Sequence, residues 1–225
     1  MKTNRVTKTM IAALAMLAVV MVAVPVSQAA PAAVVAAATG LSAVEAEDLA
    51  YMREEEKLAR DVYLTLNEQW NWAVFDNVAA SESQHMESVA VLLERYGAAD
   101  PASGNGTGEF TNPALQSLYD RLIAQGSQSL ADALQVGATI EEVDIVDLET
   151  RTARTDHPDI AQVYENLLRG SRNHLRAFVS NREQQTGEEY VPQYLSLEEY
   201  QSIVDSSVER GGPGAGGGQG RGRGR

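Results

Sequence analysis

Apolar residues recur at alternating spacings of three and four along four long segments, which is the pattern of amphipathic α-helices. The predicted helices cover residues 42–71, 73–96, 129–154 and 158–185. The first begins at Ser42, where Ser-Ala-Val-Glu has the form of a capping box. No segment shows the two-residue alternation of a strand. The sequence therefore predicts an all-α protein.

Two shorter helices complete the predicted fold. Pro113 is favourable in the first turn of a helix that runs to Ala124, and Ser196 opens a second capping box and a helix to about Val208. Short connections make the first two long helices, and the last two, antiparallel neighbours. The longer connection over residues 98–128 lets the second pair pack on the first. The expected fold is an antiparallel four-helix bundle with a short crossover helix and a short C-terminal helix.

Polar residues interrupt the apolar stripe of each long helix near its middle. The interrupting residues are Glu56 in the first helix, Glu82 and His85 in the second, Glu141 and Asp144 in the third, and Ser171 and His174 in the fourth. Charged side chains are rarely buried unless they are paired or bound to a metal. The pattern therefore predicts a cation inside the bundle, with Glu56, Glu82, His85, Glu141, Asp144 and His174 as candidate ligands.

Some of these positions allow other interpretations. Glu56 belongs to a run of three glutamates at 54–56, most of which should be solvated. Glu142 lies one position off the stripe and could replace Glu141 or Asp144. Tyr63 points into the stripe, where it could bond a ligand carboxylate and take part in catalysis, or simply pack. We expect His157, in the turn before the fourth helix, to be exposed.

Composition and charge narrow the function classes. The chain has 225 residues, 44% of them hydrophobic, with a formal net charge of -13 and no cysteine. Disulfides, thiolate ligands, iron–sulfur clusters and a cysteine nucleophile are excluded, so any metal is held by oxygen and imidazole nitrogen. Nucleic acid is not expected as a partner of the acidic folded domain, because phosphate binding needs clustered Lys and Arg.

The two ends of the chain differ in composition from the rest. Residues 1–29 have the basic, apolar and small-residue layout of an export signal, followed by a linker over 30–41. The folded domain is expected at 42–209, and a disordered Gly/Arg-rich tail at 210–225. The protein is therefore expected to be secreted, periplasmic or in the cell envelope, with a membrane anchor as the alternative if the signal is not cleaved.

The polar interruptions carry a family resemblance. Residues 56–63 contain Glu-x-x-Ala-Arg-x-x-Tyr, residues 82–85 are Glu-Ser-Gln-His, and His174 follows at the matching place in the fourth helix. These motifs resemble the ferritin-like superfamily, and within it the rubrerythrin-type di-iron domains, over residues of about 45–180. The stretch Gly-Ser-Arg-Asn-His-Leu-Arg at 170–176 is similar to the uncharacterised ferritin-like proteins of the DUF2202 family.

The resemblance implies a ferritin-like bundle with a carboxylate centre for two iron ions, with manganese or a single metal ion as alternatives. The family's fourth helix usually has Glu three residues before its histidine, where this chain has Ser171; Glu141 and Asp144 together could compensate.

The expected activity is ferroxidase or peroxidase-like, with dioxygen or peroxide as oxidant. The chain has no cysteine for a rubredoxin-type iron site, so turnover would need an external electron donor. A homodimer is compatible with this interpretation. The competing function is a non-catalytic binding module of the cell envelope with a structural metal site.

Overall fold

The computed structural model describes residues 40–210, and all regular secondary structure in that range is α-helical. The helices are α1 (Ala43–Trp70), α2 (Ala73–Arg95), α3 (Pro113–Gly126), α4 (Leu130–Thr152), α5 (Pro158–Thr186) and α6 (Leu197–Val204). The all-α prediction is confirmed, although α6 is shorter than expected. The predicted export signal, most of the linker and the Gly/Arg tail lie outside the described residues.

Local capping sets most of the helix ends. The Ser42 hydroxyl accepts a hydrogen bond from the Glu45 amide while the Glu45 carboxylate accepts one from the Ser42 amide, and Ser196 and Glu199 repeat this capping box at α6. Asn71 ends α1 in the left-handed conformation, with φ of 46°. This compact reversal allows α2 to begin only three residues after α1 ends, so that the two helices pack side by side.

The long helices pack in pairs, α1 on α2 and α4 on α5, and α3 lies against α1 and α4. Three aromatic rings meet at one level of the shared core, with the Tyr63 ring 4.9 Å from Phe178 and Phe75 5.6 Å from Phe178. Gly137 lies beside them, and a Cβ at this position would come within 2.4 Å of the Phe178 ring. This aromatic layer fixes Tyr63 next to the polar residues of the interior.

The connection between α2 and α3 is held by buried charges of α1. The Glu54 carboxylate accepts hydrogen bonds from the amides of Thr111 and Asn112, and Lys57 donates to the Gly106 carbonyl at 2.6 Å. Glu54 and its neighbour Glu55 are 2% and 5% exposed. The expectation that most of the Glu54–Glu56 run is solvated is therefore wrong. The loop supplies Glu54 with partners that a helix considered alone does not have.

Two further predictions are corrected by contacts between distant segments. Glu142 is fully buried and accepts hydrogen bonds from the Tyr190 hydroxyl and from the amides of Gln193, Tyr194 and Leu195, so it anchors the chain after α5. His157 is only partly exposed, and its Nδ1 lies 2.6 Å from the Glu45 carboxylate. None of the helices between residues 40 and 210 is long and apolar enough to cross a membrane.

Candidate metal centre

The six predicted ligand residues lie in the interior between four helices. Glu56 comes from α1, Glu82 and His85 from α2, Glu141 and Asp144 from α4, and His174 from α5. The carboxylate residues are between 1% and 6% exposed, and the side chains of His85 and His174 are 12% and 11% exposed. The helices therefore bring all six polar groups into a region shielded from bulk water.

The ligand atoms form two overlapping groups that share Glu82. In the Glu56 trio (Glu56, Glu82 and His85), the His85 Nδ1 lies 3.2 Å from Glu56 Oε2 and 2.7 Å from Glu82 Oε2. In the Glu141 trio (Glu82, Glu141 and His174), the His174 Nδ1 lies 2.7 Å from Glu82 Oε1 and 3.5 Å from Glu141 Oε2. Each trio offers three ligand atoms within 4.8 Å of one another. The two oxygens of Glu82 thus face two different imidazoles.

Several polar atoms of the candidate ligands are buried without a hydrogen-bond partner in the described residues. The His174 Nδ1 is close to Glu82 but is not aligned for a hydrogen bond, and it has no hydrogen-bond partner among residues 40–210. Glu56 Oε1 and Asp144 Oδ1 are also buried without a partner in this part of the chain. Buried polar atoms in proteins are nearly always paired with protein groups, water or ions. These unpaired oxygen and nitrogen atoms are therefore available to ligate a cation.

Neighbouring hydroxyl groups hold several of the candidate ligands. The Tyr63 hydroxyl donates to Glu141 Oε1 at 2.5 Å, and the Ser171 hydroxyl donates to Asp144 Oδ2. The Ser81 hydroxyl lies 2.9 Å from the His174 Nε2, so the Nδ1 of that ring is the atom that faces the carboxylates. Metal-binding histidines characteristically use their second ring nitrogen in such a contact.

Burial and neighbouring charges raise the pKa of several groups in the candidate site. Burial raises the pKa of Glu56 well above its ordinary range, and the nearby Asp144 carboxylate adds to the effect. Burial, reinforced by Glu141, raises the pKa of Asp144 to about 7. Burial alone would lower the pKa of His174, but Glu82 and Glu141 raise it to about 10. Bound cations would displace protons from such groups, which couples metal affinity to pH.

Glu82 behaves differently from the other carboxylates. Burial alone would raise its pKa, but the positive charges of His174 and His85 lower it below the ordinary value. Glu82 therefore stays ionised between two imidazole rings whose centroids are 5.5 Å apart. A carboxylate that keeps its charge and offers one oxygen to each side is suited to link two cations.

Two residues next to the cluster were not anticipated from the sequence. Ser81 precedes Glu82 and lies one helical turn before His85, which is the only signal that it belongs to this face. Gly170 lies under the His85 ring, and a Cβ there would come within 2.5 Å of the ring atoms Cε1 and Nε2. Glycine inside a helix costs about 1 kcal/mol relative to alanine, and such a residue often marks a close approach.

The chain also resembles known sequences and structures over most of its length. The family profile described as "Uncharacterized protein domain (DUF2202)" matches residues 45–207. The uncharacterized protein MJ0754 of Methanocaldococcus jannaschii is 53% identical over 171 residues, which cover 76% of this chain and 92% of that protein. The crystal structure of the hypothetical protein MJ0754 superposes with a TM-score of 0.71 at 52% identity, over 73% of this chain and 93% of the other. The two trios lie within the matched residues, and the chain belongs to the DUF2202 family.

Proposed function

We propose that this protein is a ferritin-like oxidoreductase whose interior binds two divalent metal ions, iron or manganese. The observation that carries the proposal is the position of Glu82, which places one carboxylate oxygen beside each of two imidazoles. A ferritin-like arrangement is supported by ligands that come from all four long helices, with a Glu-x-x-His pair on α2.

The donor set fits these metals. Carboxylate oxygen and imidazole nitrogen suit iron and manganese, and no thiolate is available in a chain without cysteine. Glu56 and His85 would hold one ion, Glu141 and His174 the other, and Glu82 would contribute to both. Glu82, Glu56, Glu141 and Asp144 together carry four negative charges when ionised, which balance two divalent ions. The unpaired atoms Glu56 Oε1, Asp144 Oδ1 and His174 Nδ1 would gain partners.

Asp144 supports the same assignment from α4. In the rubrerythrin-type domains that the sequence resembles, a glutamate usually lies three residues before the histidine of this helix. This chain has Ser171 at that position. The Ser171 hydroxyl donates to Asp144 Oδ2 and leaves Oδ1 without a partner. On this proposal Asp144, held by the serine on the neighbouring helix, would contribute the carboxylate that Ser171 cannot.

When bound, the two ions would supply redox chemistry towards dioxygen or hydrogen peroxide. The side chains of this chain provide the environment for it: Tyr63 fixes Glu141, and burial of the four carboxylate residues limits access of water. Without cysteine the chain holds no iron–sulfur or rubredoxin-type electron store, so the electrons would come from a separate donor. The proposed activity is accordingly ferroxidase or peroxidase-like.

Metal binding is the direct test of this proposal. Protein stripped with a chelator should bind two Fe(II) or Mn(II) ions per chain on anaerobic titration. Glu82→Gln should weaken both binding events, because the carboxylate belongs to both trios. Glu87→Gln is a matched control on the exposed side of α2 and should bind like the wild type. Failure of the wild-type protein to bind Fe(II) or Mn(II) would refute the proposal.

A second measurement distinguishes an oxidoreductase from a structural metal site. Mixing the Fe(II)-loaded protein with hydrogen peroxide should produce ferric absorption faster than free Fe(II) at the same concentration. Glu87→Gln should retain that rate. Ions that bind tightly but are oxidised no faster than free Fe(II) would mark a structural site and remove the enzymatic part of the proposal.

A further inference from the structure

The two trios differ in how firmly their ligands are held. In the Glu141 trio, both residues other than the shared Glu82 are fixed by a hydroxyl group: Tyr63 donates to Glu141 at 2.5 Å, and Ser81 contacts His174 Nε2 at 2.9 Å. Tyr63 is fully buried and packed against Phe178, so its position is itself determined by the core. Two of the three residues of this half are thus oriented by hydrogen bonds to hydroxyl groups that lie outside the trio.

The Glu56 trio lacks comparable support. Glu56 Oε1 has no hydrogen-bond partner among residues 40–210, and the other oxygen is 3.2 Å from His85. The Nε2 edge of the His85 ring packs against Gly170, where a Cβ would come within 2.5 Å. The side-chain hydrogen bond of His85 within residues 40–210 is the one between its Nδ1 and Glu56. Within the described residues, Glu56 and His85 therefore hydrogen-bond each other and receive no hydrogen bond from a supporting hydroxyl group.

We propose that the two ions are bound unequally, with Ser81 and Tyr63 acting as positioning residues that make the Glu141 trio the tighter site, while the Glu56 trio takes a weaker, exchangeable ion. This inference rests on the proposed two-metal function. Its physical basis is pre-organisation: a ligand already fixed in its binding orientation loses less conformational freedom when the ion binds. Removing such support typically lowers metal affinity by about 10–100-fold.

The proposal assigns different variants to different binding steps. Ser81→Ala should weaken the tighter step about 10–100-fold and leave the weaker step unchanged, since among residues 40–210 the Ser81 hydroxyl hydrogen-bonds His174 and neither Glu56 nor His85. Ser81→Thr keeps the hydroxyl and should bind more tightly than Ser81→Ala. Glu56→Gln should remove the weaker step and preserve the tighter one. Ser83→Ala is the matched control, because Ser83 is exposed on the same helix and its hydroxyl bonds the Ala79 carbonyl.

The experiment is calorimetric titration of the chelator-stripped full-length protein with Co(II), followed in parallel by the visible absorption of bound Co(II). Two steps in the wild type, of which only the tighter one responds to Ser81→Ala, would support the inference. Equal affinities, or a Ser81→Ala effect on both steps or on neither, would overturn it and leave the two-metal function intact. Absence of binding of Co(II), Fe(II) and Mn(II) would overturn both. Thermal unfolding of each stripped variant shows whether it is folded.

Discussion

The substitution Asp144→Asn separates the stability of the interior from its capacity to bind metal. Asp144 is buried near the carboxylates of Glu141 and Glu82. Burial, and after it repulsion from Glu141, raises the pKa of Asp144 from the ordinary 3.8 to about 7. A carboxyl with a raised pKa in the folded state stabilises the protein below pH 3.8, and that contribution is lost as the pH rises through 7. Asparagine has no charge to bury, so the stripped variant should keep its stability at high pH.

The magnitude follows from the two pKa values. The difference between 3.8 and about 7 corresponds to an upper limit on the order of 4 kcal/mol of unfolding free energy above pH 7. The Ser171 hydroxyl can still donate to an amide oxygen, although a bond to a neutral acceptor is weaker by about 1 kcal/mol. We therefore expect Asp144→Asn to stabilise the metal-free protein by about 2–3 kcal/mol at pH 8, which corresponds to a rise in Tm of roughly 5–10 °C.

Thermal and urea unfolding of chelator-stripped protein at pH 4.5, 6 and 8 would test this reasoning. The advantage of Asp144→Asn should be absent at pH 4.5 and grow towards pH 8. Adding Fe(II) or Mn(II) should reverse the order, because the amide is a poorer ligand than the carboxylate. Asp120→Asn is the control, since Asp120 is exposed on α3 and should show no such pH dependence. A difference between variant and wild type that is the same at all three pH values would refute the reasoning.

Three other substitutions test separate parts of the fold. Gly137→Ala should lower the unfolding free energy in urea by about 1–3 kcal/mol, because its Cβ would meet the Phe178 ring at 2.4 Å and overpacking outweighs the gain in helix propensity. His157→Ala should cost about 0.2–1 kcal/mol in pH-resolved unfolding below pH 6.5. This cost should disappear at higher pH, because the hydrogen bond to Glu45 raises the pKa of His157 and its contribution is lost as the ring deprotonates. Glu142→Gln should lower the unfolding free energy by about 2 kcal/mol, because a neutral amide forms weaker hydrogen bonds than the buried carboxylate, which accepts from three backbone amides. Limited proteolysis should then cut the segment after α5 faster than in the wild type.

The helix boundaries could be predicted because their causes are local. Ser42 and Ser196 cap α1 and α6, each together with a glutamate three residues later, and this spacing can be recognised in the sequence. The sequence predicts the end of α6 near Val208, whereas the helix ends at Val204. The chain after it is bent back by a distant contact, in which Glu209 pairs with Arg172 of α5 at 2.5 Å. No sequence pattern near Val204 predicts this ion pair, because its two residues are far apart along the chain.

The candidate ligands could also be identified from the sequence, because a charged residue stands out where the helical spacing predicts an apolar one. Glu82 and His85 interrupt the stripe of α2, and both lie in the interior as expected. Which carboxylate of α4 faces the cluster was harder to predict, since Glu141 and Glu142 are both buried. Adjacent positions differ by only about 100° around a helix. Their partners distinguish them: Tyr63 on α1 donates to Glu141, and Tyr190 donates to Glu142.

The three consecutive glutamates of α1 show why charge runs are ambiguous. Glu54 points towards the loop before α3 and accepts hydrogen bonds from the backbone amides of Thr111 and Asn112. Burial and the Asp147 carboxylate raise the pKa of Glu55 well above its ordinary range, while Arg151 opposes the shift. Glu56 belongs to the candidate metal site and lies beside His85. Successive residues point in directions about 100° apart, so each reaches partners on a different element and all three are buried. Backbone amides compensate the desolvation of Glu54, whereas Glu55 Oε2 and Glu56 Oε1 have no hydrogen-bond partner among the described residues. Of these two glutamates, Glu56 is the one that lies within a group of candidate metal ligands.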